Sequence, residues 1–183
     1  MKNLSLILFV ILIVFSSCDQ QNQFGGPVYD FDGNMAIDRV KIDTYLANTP
    51  IDSLYRIHDP SGVIIIVQKE GEGTRPISNT VVYTDYIGSL LDGVVFDTSY
   101  EAVARENNIF QESRTYGPLV FTIPPPGDPG NQIQGFNFGF RRLRPQSKAV
   151  LIIPSPLAYR DEARENIPTN SILRFDVDFR GID

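Results

Sequence analysis

The run Val82-Tyr83-Thr84-Asp85-Tyr86-Ile87-Gly88-Ser89-Leu90-Leu91-Asp92-Gly93-Val94-Val95-Phe96-Asp97-Thr98-Ser99 carries the strongest structural signal in the chain. Thr80 to Leu90 is rich in Val, Thr, Tyr and Ile, the residue types that fit a pleated, half-buried surface. Asp92-Gly93 then supplies a tight turn, because glycine accepts the positive φ that such turns demand. Val94, Val95 and Phe96 return as the second arm, so the stretch reads as a β-hairpin.

Strand signals continue on either side. Val63 to Gln68 is an apolar, β-branched run between Gly62 and the Gly71-Glu72-Gly73 cluster, which predicts a buried strand followed by a turn. Lys148 to Ile153 is a second apolar strand, stopped by Pro154 and Pro156. Near the C-terminus Leu173, Phe175, Val177 and Phe179 alternate with Arg174, Asp176, Asp178 and Arg180, so one face packs and the other meets water. Between hairpin and last strands, Phe136, Phe140 and Leu143 fall at i, i+4 and i+7, which predicts one short helix over Phe136 to Leu143. Met35, Ile37, Val40, Ile42, Tyr45 and Leu46 approximate helical spacing nearer the N-terminus, with Asn34 or Asp32 placed to cap the first turn and Pro50 to end it. Ile51 to Pro60 reads as a connector with His58 as a loop residue. Ser99 to Gly117 is charged and weakly periodic, and reads as a loop insertion at the sheet's rim, open to solvent or to a partner. The sum is an α+β fold, a bent antiparallel sheet with a short helix against its inner face and an extra N-terminal helix.

Composition narrows the chemistry. The 183 residues carry a formal charge of −6, with one Cys, one His and no Trp. A single Cys excludes an intrachain disulfide and a cysteine-rich zinc site, and a single His excludes a multi-histidine metal centre. The acidic balance argues against a nucleic-acid partner, for which phosphate neutralisation is the main source of affinity. One local basic group, Arg141, Arg142, Arg144 and Lys148, reads either as a solvated helix end or as a contact for anionic lipid or an acidic client.

At the N-terminus Lys2 precedes an apolar core from Leu4 to Phe15, then Ser16, Ser17 and Cys18. A positive start, a short apolar core and small residues before a cleavage point make an export signal. Cys18 sits as in a bacterial lipobox, although Phe15 replaces the usual Leu. The expectation is a lipoprotein signal peptide over 1–17, lipidation of Cys18, a flexible tether over 18–33, a helix and connector over 34–60, and the main domain over 61–183 with its insertion at about 99–117. The protein would be lipid-anchored to a bacterial membrane in the cell envelope, on its periplasmic or outer-membrane side.

The hairpin resembles that of the FKBP-type peptidyl-prolyl cis-trans isomerases, which runs approximately Y-x-G-x-L-x-D-G-x-x-F-D-S-S. Further matches follow in order: Ile133-Gln134-Gly135-Phe136 resembles V-I-x-G-W/F, Ile153-Pro154-Ser155-Pro156-Leu157-Ala158-Tyr159 resembles I-P-x-x-L-A-Y-G, and Ile167-Pro168-Thr169-Asn170-Ser171-Ile172-Leu173-Arg174-Phe175-Asp176-Val177 resembles I-P-x-N-S-x-L-x-F-x-V. The lipobox and N-terminal helix also resemble exported bacterial lipoprotein members. The resemblance implies a half-barrel wrapped around the short helix, with an apolar pocket walled by Tyr86, Phe96, Asp97, Phe121, Ile133, Phe136, Tyr159, Ile167 and Phe175, and with Phe136 as its floor. It implies an enzyme that needs neither metal nor cofactor and acts on proline-containing exported polypeptides.

An X-Pro bond turns slowly because twisting it destroys amide resonance, a barrier of roughly 18–20 kcal/mol. Moving the amide from water into an apolar pocket disfavours its planar, charge-separated form and lowers that barrier without acid or base. By analogy with the family, the Ile133 N–H and the Tyr159 hydroxyl would bind substrate carbonyls, and Asp97 would orient the twisting carbonyl. Asp97 also reads as a turn-stabilising carboxylate, and Tyr86 either touches substrate or braces the hairpin through Asp97. Three positions depart from the family pattern: Arg160 replaces a Gly, Gln132 replaces an apolar residue at the pocket lip, and Leu119 stands where an aromatic often joins the wall. Arg160, Gln132 and the Ser99 to Gly117 insertion leave a second reading beside the isomerase, a membrane-tethered binding or assembly module with little or no turnover.

Overall fold

The apolar runs near residues 65 and 150 have no polar face, so both sides of each strand must be covered by other parts of the chain. A computed structural model, which describes residues 28–183, shows what covers them. The signal peptide and Cys18 lie outside the described residues. Helix α1 (Phe31–Asn48) is followed by β1 (Tyr55–His58), β2 (Ile64–Lys69), β3 (Val81–Leu90), β4 (Val95–Thr98), α2 (Glu101–Glu106), β5 (Leu119–Thr122), α3 (Gln134–Phe140), β6 (Lys148–Ile153) and β7 (Leu173–Ile182). The strands form one antiparallel sheet in the order β1-β2-β6-β7-β3-β4, with β5 also paired to β3. Side chains alternate across each strand, so Ile65, Val67, Leu151 and Ile153 face α3 and its aromatic core, while Ile64, Ile66, Val150 and Ile152 face the opposite way and pack with Ile42 of α1. Two helices thus sandwich the middle of the sheet, and the α+β half-barrel with its added N-terminal helix is the observed architecture.

The sheet lies close against α3 because that helix carries glycines where it faces β6. A Cβ on Gly135 would fall 2.2 Å from Ile153 Cγ2, and one on Gly139 would fall 2.7 Å from Leu151 Cδ1. Phe136 and Phe140, each directly after one of these glycines, project into the core, 2% and 0% exposed.

Some local expectations change. Helix α1 starts at Phe31, capped by Asp30, whose side chain accepts from the Gly33 N–H; the cap is therefore neither Asn34 nor Asp32. Its inward residues are Met35, Asp38, Ile42, Tyr45 and Leu46, whereas Ile37 and Val40 are 54% and 66% exposed. The expected connector contains β1, which places His58 in a strand opposite Ile64. Because most of β1 is exposed, it lacks an apolar pattern. Residues 99–117, read as a loop, contain α2. The insertion's position follows from the pairing: β4 and β5 share one edge of β3, with Ile87 opposite Thr98 and Thr84 opposite Leu119, and the insertion connects them.

The basic group is absorbed by local partners. Arg141 donates to the Pro124 carbonyl, Arg142 to Asp59 and Arg144 to the Gly73 carbonyl, while Lys148 lies 3.3 Å from Asp178.

Candidate active site

Strands β3 and β4 bring Tyr86 and Asp97 side by side, since they belong to the two arms of one hairpin. The Tyr86 hydroxyl donates to Asp97 Oδ2 at 2.5 Å. The Asp97 Oδ1 accepts from the Thr98 N–H at 2.8 Å and from Arg114 Nη1 at 2.5 Å. Arg114 Nη2 also donates to the Tyr86 hydroxyl at 3.2 Å, which closes a three-membered network. Burial above all, and then the bond to Asp97, pushes the Tyr86 hydroxyl well above its ordinary pKa. Burial works to lower the Arg114 pKa, but its bonds to Asp97 and Tyr86 outweigh that and raise it. Three donors thus fix the orientation of the Asp97 side chain at the edge of β4.

Arg114 comes from the insertion and is the site residue that sequence reasoning missed. It is held by a stack: the Arg105 guanidinium lies 3.5 Å from the Phe110 ring centre, Phe110 stacks on Tyr116 at 5.5 Å, and the Arg114 guanidinium lies 5.1 Å from the Tyr116 ring. A sequence signal for the helix beneath that stack does exist in Glu101 and Arg105, an i, i+4 ion pair with acid in the first turn and base in the last. Nothing in the sequence points Arg114 itself at Asp97.

Above this network lies a hollow of about 560 Å³ between the insertion and the loop at 159–167. Phe96, Asp97, Tyr159 and Ile167 line it, together with Arg114 and Arg164. Burial raises the Tyr159 pKa, with nearby Asp97 adding to the effect, and among the described residues no group bonds its hydroxyl. Arg164 lies over the Tyr159 ring at 5.3 Å.

The remaining expected residues form layers below and beside the hollow. Phe136 is surrounded by Tyr86, Phe121, Phe140 and Phe175, with ring centres 4.8–6.4 Å away, and is 2% exposed. Phe175 in turn meets Phe96 edge to face at 5.7 Å. Phe136, Phe121 and Phe175 are thus a buried aromatic layer beneath the hollow and not part of its open wall. Ile133 precedes α3, and its carbonyl accepts from the Phe136 N–H at 3.1 Å. Leu119 and Ile133 pack at the margin of the core, and the Gln132 carbonyl accepts weakly from Asn137 at 3.5 Å. Arg160, at the departure from Gly, takes φ +56°, the left-handed conformation that glycine would adopt freely.

The half-barrel folded over α3 thus carries a carboxylate held by three donors on one wall of the hollow and a tyrosine hydroxyl without a partner among the described residues on another. Residues 72–180 match the family described as FKBP-type peptidyl-prolyl cis-trans isomerase. Well over half of the sequence lies in that match, and the chain belongs to this family. It is 34% identical over 118 residues to a probable FKBP-type peptidyl-prolyl cis-trans isomerase FkpA of Neisseria meningitidis, an alignment that takes in 64% of this chain and 36% of the relative. It is 32% identical over 119 residues to the FkpA of Escherichia coli K12, covering 64% and 37% of the two chains. The chain thus spans less than two fifths of the length of these curated relatives. The crystal structure of Escherichia coli FkpA matches the fold with a TM-score of 0.61 at 24% identity, covering 82% of this chain and 60% of that one. A Pseudomonas syringae isomerase structure matches with a TM-score of 0.60 at 19% identity, over 86% and 99% of the two chains.

Proposed function

We propose that this protein is a peptidyl-prolyl cis-trans isomerase acting on proline-containing exported polypeptides, tethered to a bacterial envelope membrane by a lipid on Cys18. The observation that carries the catalytic part is the pairing, across one hollow, of an Asp97 carboxylate locked by Tyr86 and Arg114 with a Tyr159 hydroxyl that has no partner among the described residues. The prolyl ring lodges against Phe96 and Ile167, above the aromatic layer built on Phe136. Tyr159 donates to a substrate carbonyl, and the Ile133 N–H, which has no bonding partner among the described residues, donates to another. Asp97 faces the twisting amide as a fixed dipole. No proton moves, and the gain comes from removing water from the planar amide while orienting the twisted one. A cofactor has no step to perform in this scheme.

A protease-coupled assay of the full chain on a short X-Pro peptide tests the reading. Cis-to-trans conversion above the buffer rate, reduced by Asp97→Ala and by Tyr159→Phe, supports it. The closed packing over Phe136 favours a second reading, a tethered binding or assembly module. A rate equal to buffer with retained peptide binding would establish that one instead.

A further inference from the structure

One wall of the hollow is a long loop from Pro154 to Asn170 that contains Tyr159, Arg164 and Ile167, and its backbone is held in costly geometry. Arg160, Asn166 and Asn170 all take positive φ, at +56°, +60° and +53°; asparagine enters this left-handed conformation readily, whereas at Arg160 it is imposed by surrounding contacts. Part of that imposition comes from the N-terminal helix, which lies outside the family match at 72–180. Asp38 of α1 is 1% exposed, and its Oδ2 accepts from the Ser155 N–H at 2.7 Å. Ser155 opens the short 3-10 turn Ser155–Leu157 that leads directly to Tyr159. A buried carboxylate is expensive to keep unless its bonds are well made, yet Asp38 occupies an inward position that an apolar residue would fill more cheaply. Its other partner, Lys41 Nζ, is 3.7 Å away. A second contact secures the far end of the loop: the Tyr29 hydroxyl donates to Asn170 Oδ1 at 3.3 Å, and the Arg160 guanidinium lies 5.8 Å from the Tyr29 ring centre. The Asn170 N–H donates in turn to the Arg160 carbonyl.

We infer that Asp38, aided by Tyr29, is a positioning residue: the N-terminal segment clamps the loop from Pro154 to Asn170 and thereby fixes Tyr159 at the wall of the hollow. The catalytic consequence rests on the isomerase reading above, whereas the clamp itself does not. Arg160 then has a role where the family has Gly, since its side chain reaches back to Tyr29 and to the Pro156 carbonyl at 3.3 Å.

The test uses the full chain with Asp38→Ala, Asp38→Asn, which keeps an oxygen acceptor, Tyr29→Phe, and Ile42→Val as a control that loosens the apolar packing of α1 on β2 and β6 while leaving the Asp38 bond to Ser155 in place. Two readouts are taken well below the melting temperature: kcat/KM on an X-Pro peptide, and backbone amide NMR signals of residues 155–167. Asp38→Ala is expected to lower kcat/KM at least fivefold, mainly through kcat, and to shift or broaden the amides of 155–160, with Asp38→Asn restoring most of both and Ile42→Val moving neither. Tyr29→Phe, which leaves the fold least disturbed, is expected to perturb amides near Arg160 and Asn170. Unchanged amide signals at 155–160 in Asp38→Ala, or equal effects from Ile42→Val, would overturn the clamp. An inactive wild type would overturn only the isomerase reading, because the amide signals report on the clamp without turnover.

Discussion

Asp97 is a residue whose role depends on what it has already been given. Tyr86, Arg114 and the Thr98 N–H occupy it, so in the proposed mechanism it acts as a fixed dipole and never as an acid. Removing it costs that orientation and strands Arg114. Asp97→Ala is expected to reduce kcat/KM by about tenfold or more, equivalent to ~1.4 kcal/mol of transition-state stabilisation, while the fold persists by circular dichroism. The Asp97 and Arg114 side chains are each a little over one third exposed, so solvent screens the pair, and a double-mutant cycle on stability should give a coupling of only about 0.5–1 kcal/mol. The pH dependence follows from Tyr86 and Tyr159, whose pKa values lie above the ordinary tyrosine value in the folded protein. A raised folded pKa means the proton is held more tightly in the native state, so this stabilisation is complete below about pH 10 and is lost as pH rises through the folded values. The isomerase rate should accordingly be flat between about pH 6 and 9, and a denaturation series should show the tyrosine contribution fading only above about pH 10. The contact between Tyr86 and Asp97 was legible through the hairpin's resemblance to its family and not through the strand register, which sets Gly88 opposite Asp97. Arg114 was not, since its path to Asp97 runs through an aromatic stack between residues distant from any strand register.

Elements show the same division. Strands β2 and β6 were legible because burial on both faces leaves an unbroken apolar run, and β7 because its alternation separates one face from the other. Strand β1 was hidden by its exposure, and α2 by its brevity. In α1 the apolar spacing was misleading: Ile37 and Val40 look like core residues but point outward, and Asp38 looks like a surface residue but is buried. Helix α3 was readable from Phe136 and Phe140, yet its glycines matter as much as its rings. Gly135→Ala should improve intrinsic helix propensity by ~1 kcal/mol but press a methyl into Ile153. Overpacking in a close-packed core costs about 1–3 kcal/mol, so the variant should be less stable than wild type by urea denaturation, with altered NMR signals from Phe136. A variant more stable than wild type would mean that α3 and β6 can separate without loss.

For the whole molecule, the fold joins a family half-barrel to an N-terminal helix that braces the wall of its hollow. No helix among the described residues is long and apolar enough to cross a membrane, and the proposed membrane association is assigned to a lipid on Cys18. Full-length protein should partition with membranes, and Cys18→Ser should shift it to the soluble fraction or stall it with the leader attached. Fatty-acid incorporation that persists in Cys18→Ser would refute lipidation at that residue. The sequence left the hollow itself least legible: it suggested an open pocket floored by Phe136, whereas packing of four rings covers that residue and the open volume lies one layer higher, between Phe96, Asp97, Tyr159 and Ile167. Pocket depth is a property of how several elements close together, and no single stretch of sequence encodes it. The most direct measurement is exchange NMR on a proline peptide with the full chain present in catalytic amount, combined with contacts detected between the prolyl ring and the protein. The account predicts accelerated exchange between cis and trans signals, with prolyl contacts to Phe96, Tyr159 and Ile167. Exchange unchanged from the free peptide, or prolyl contacts confined to a surface away from these residues, would contradict it.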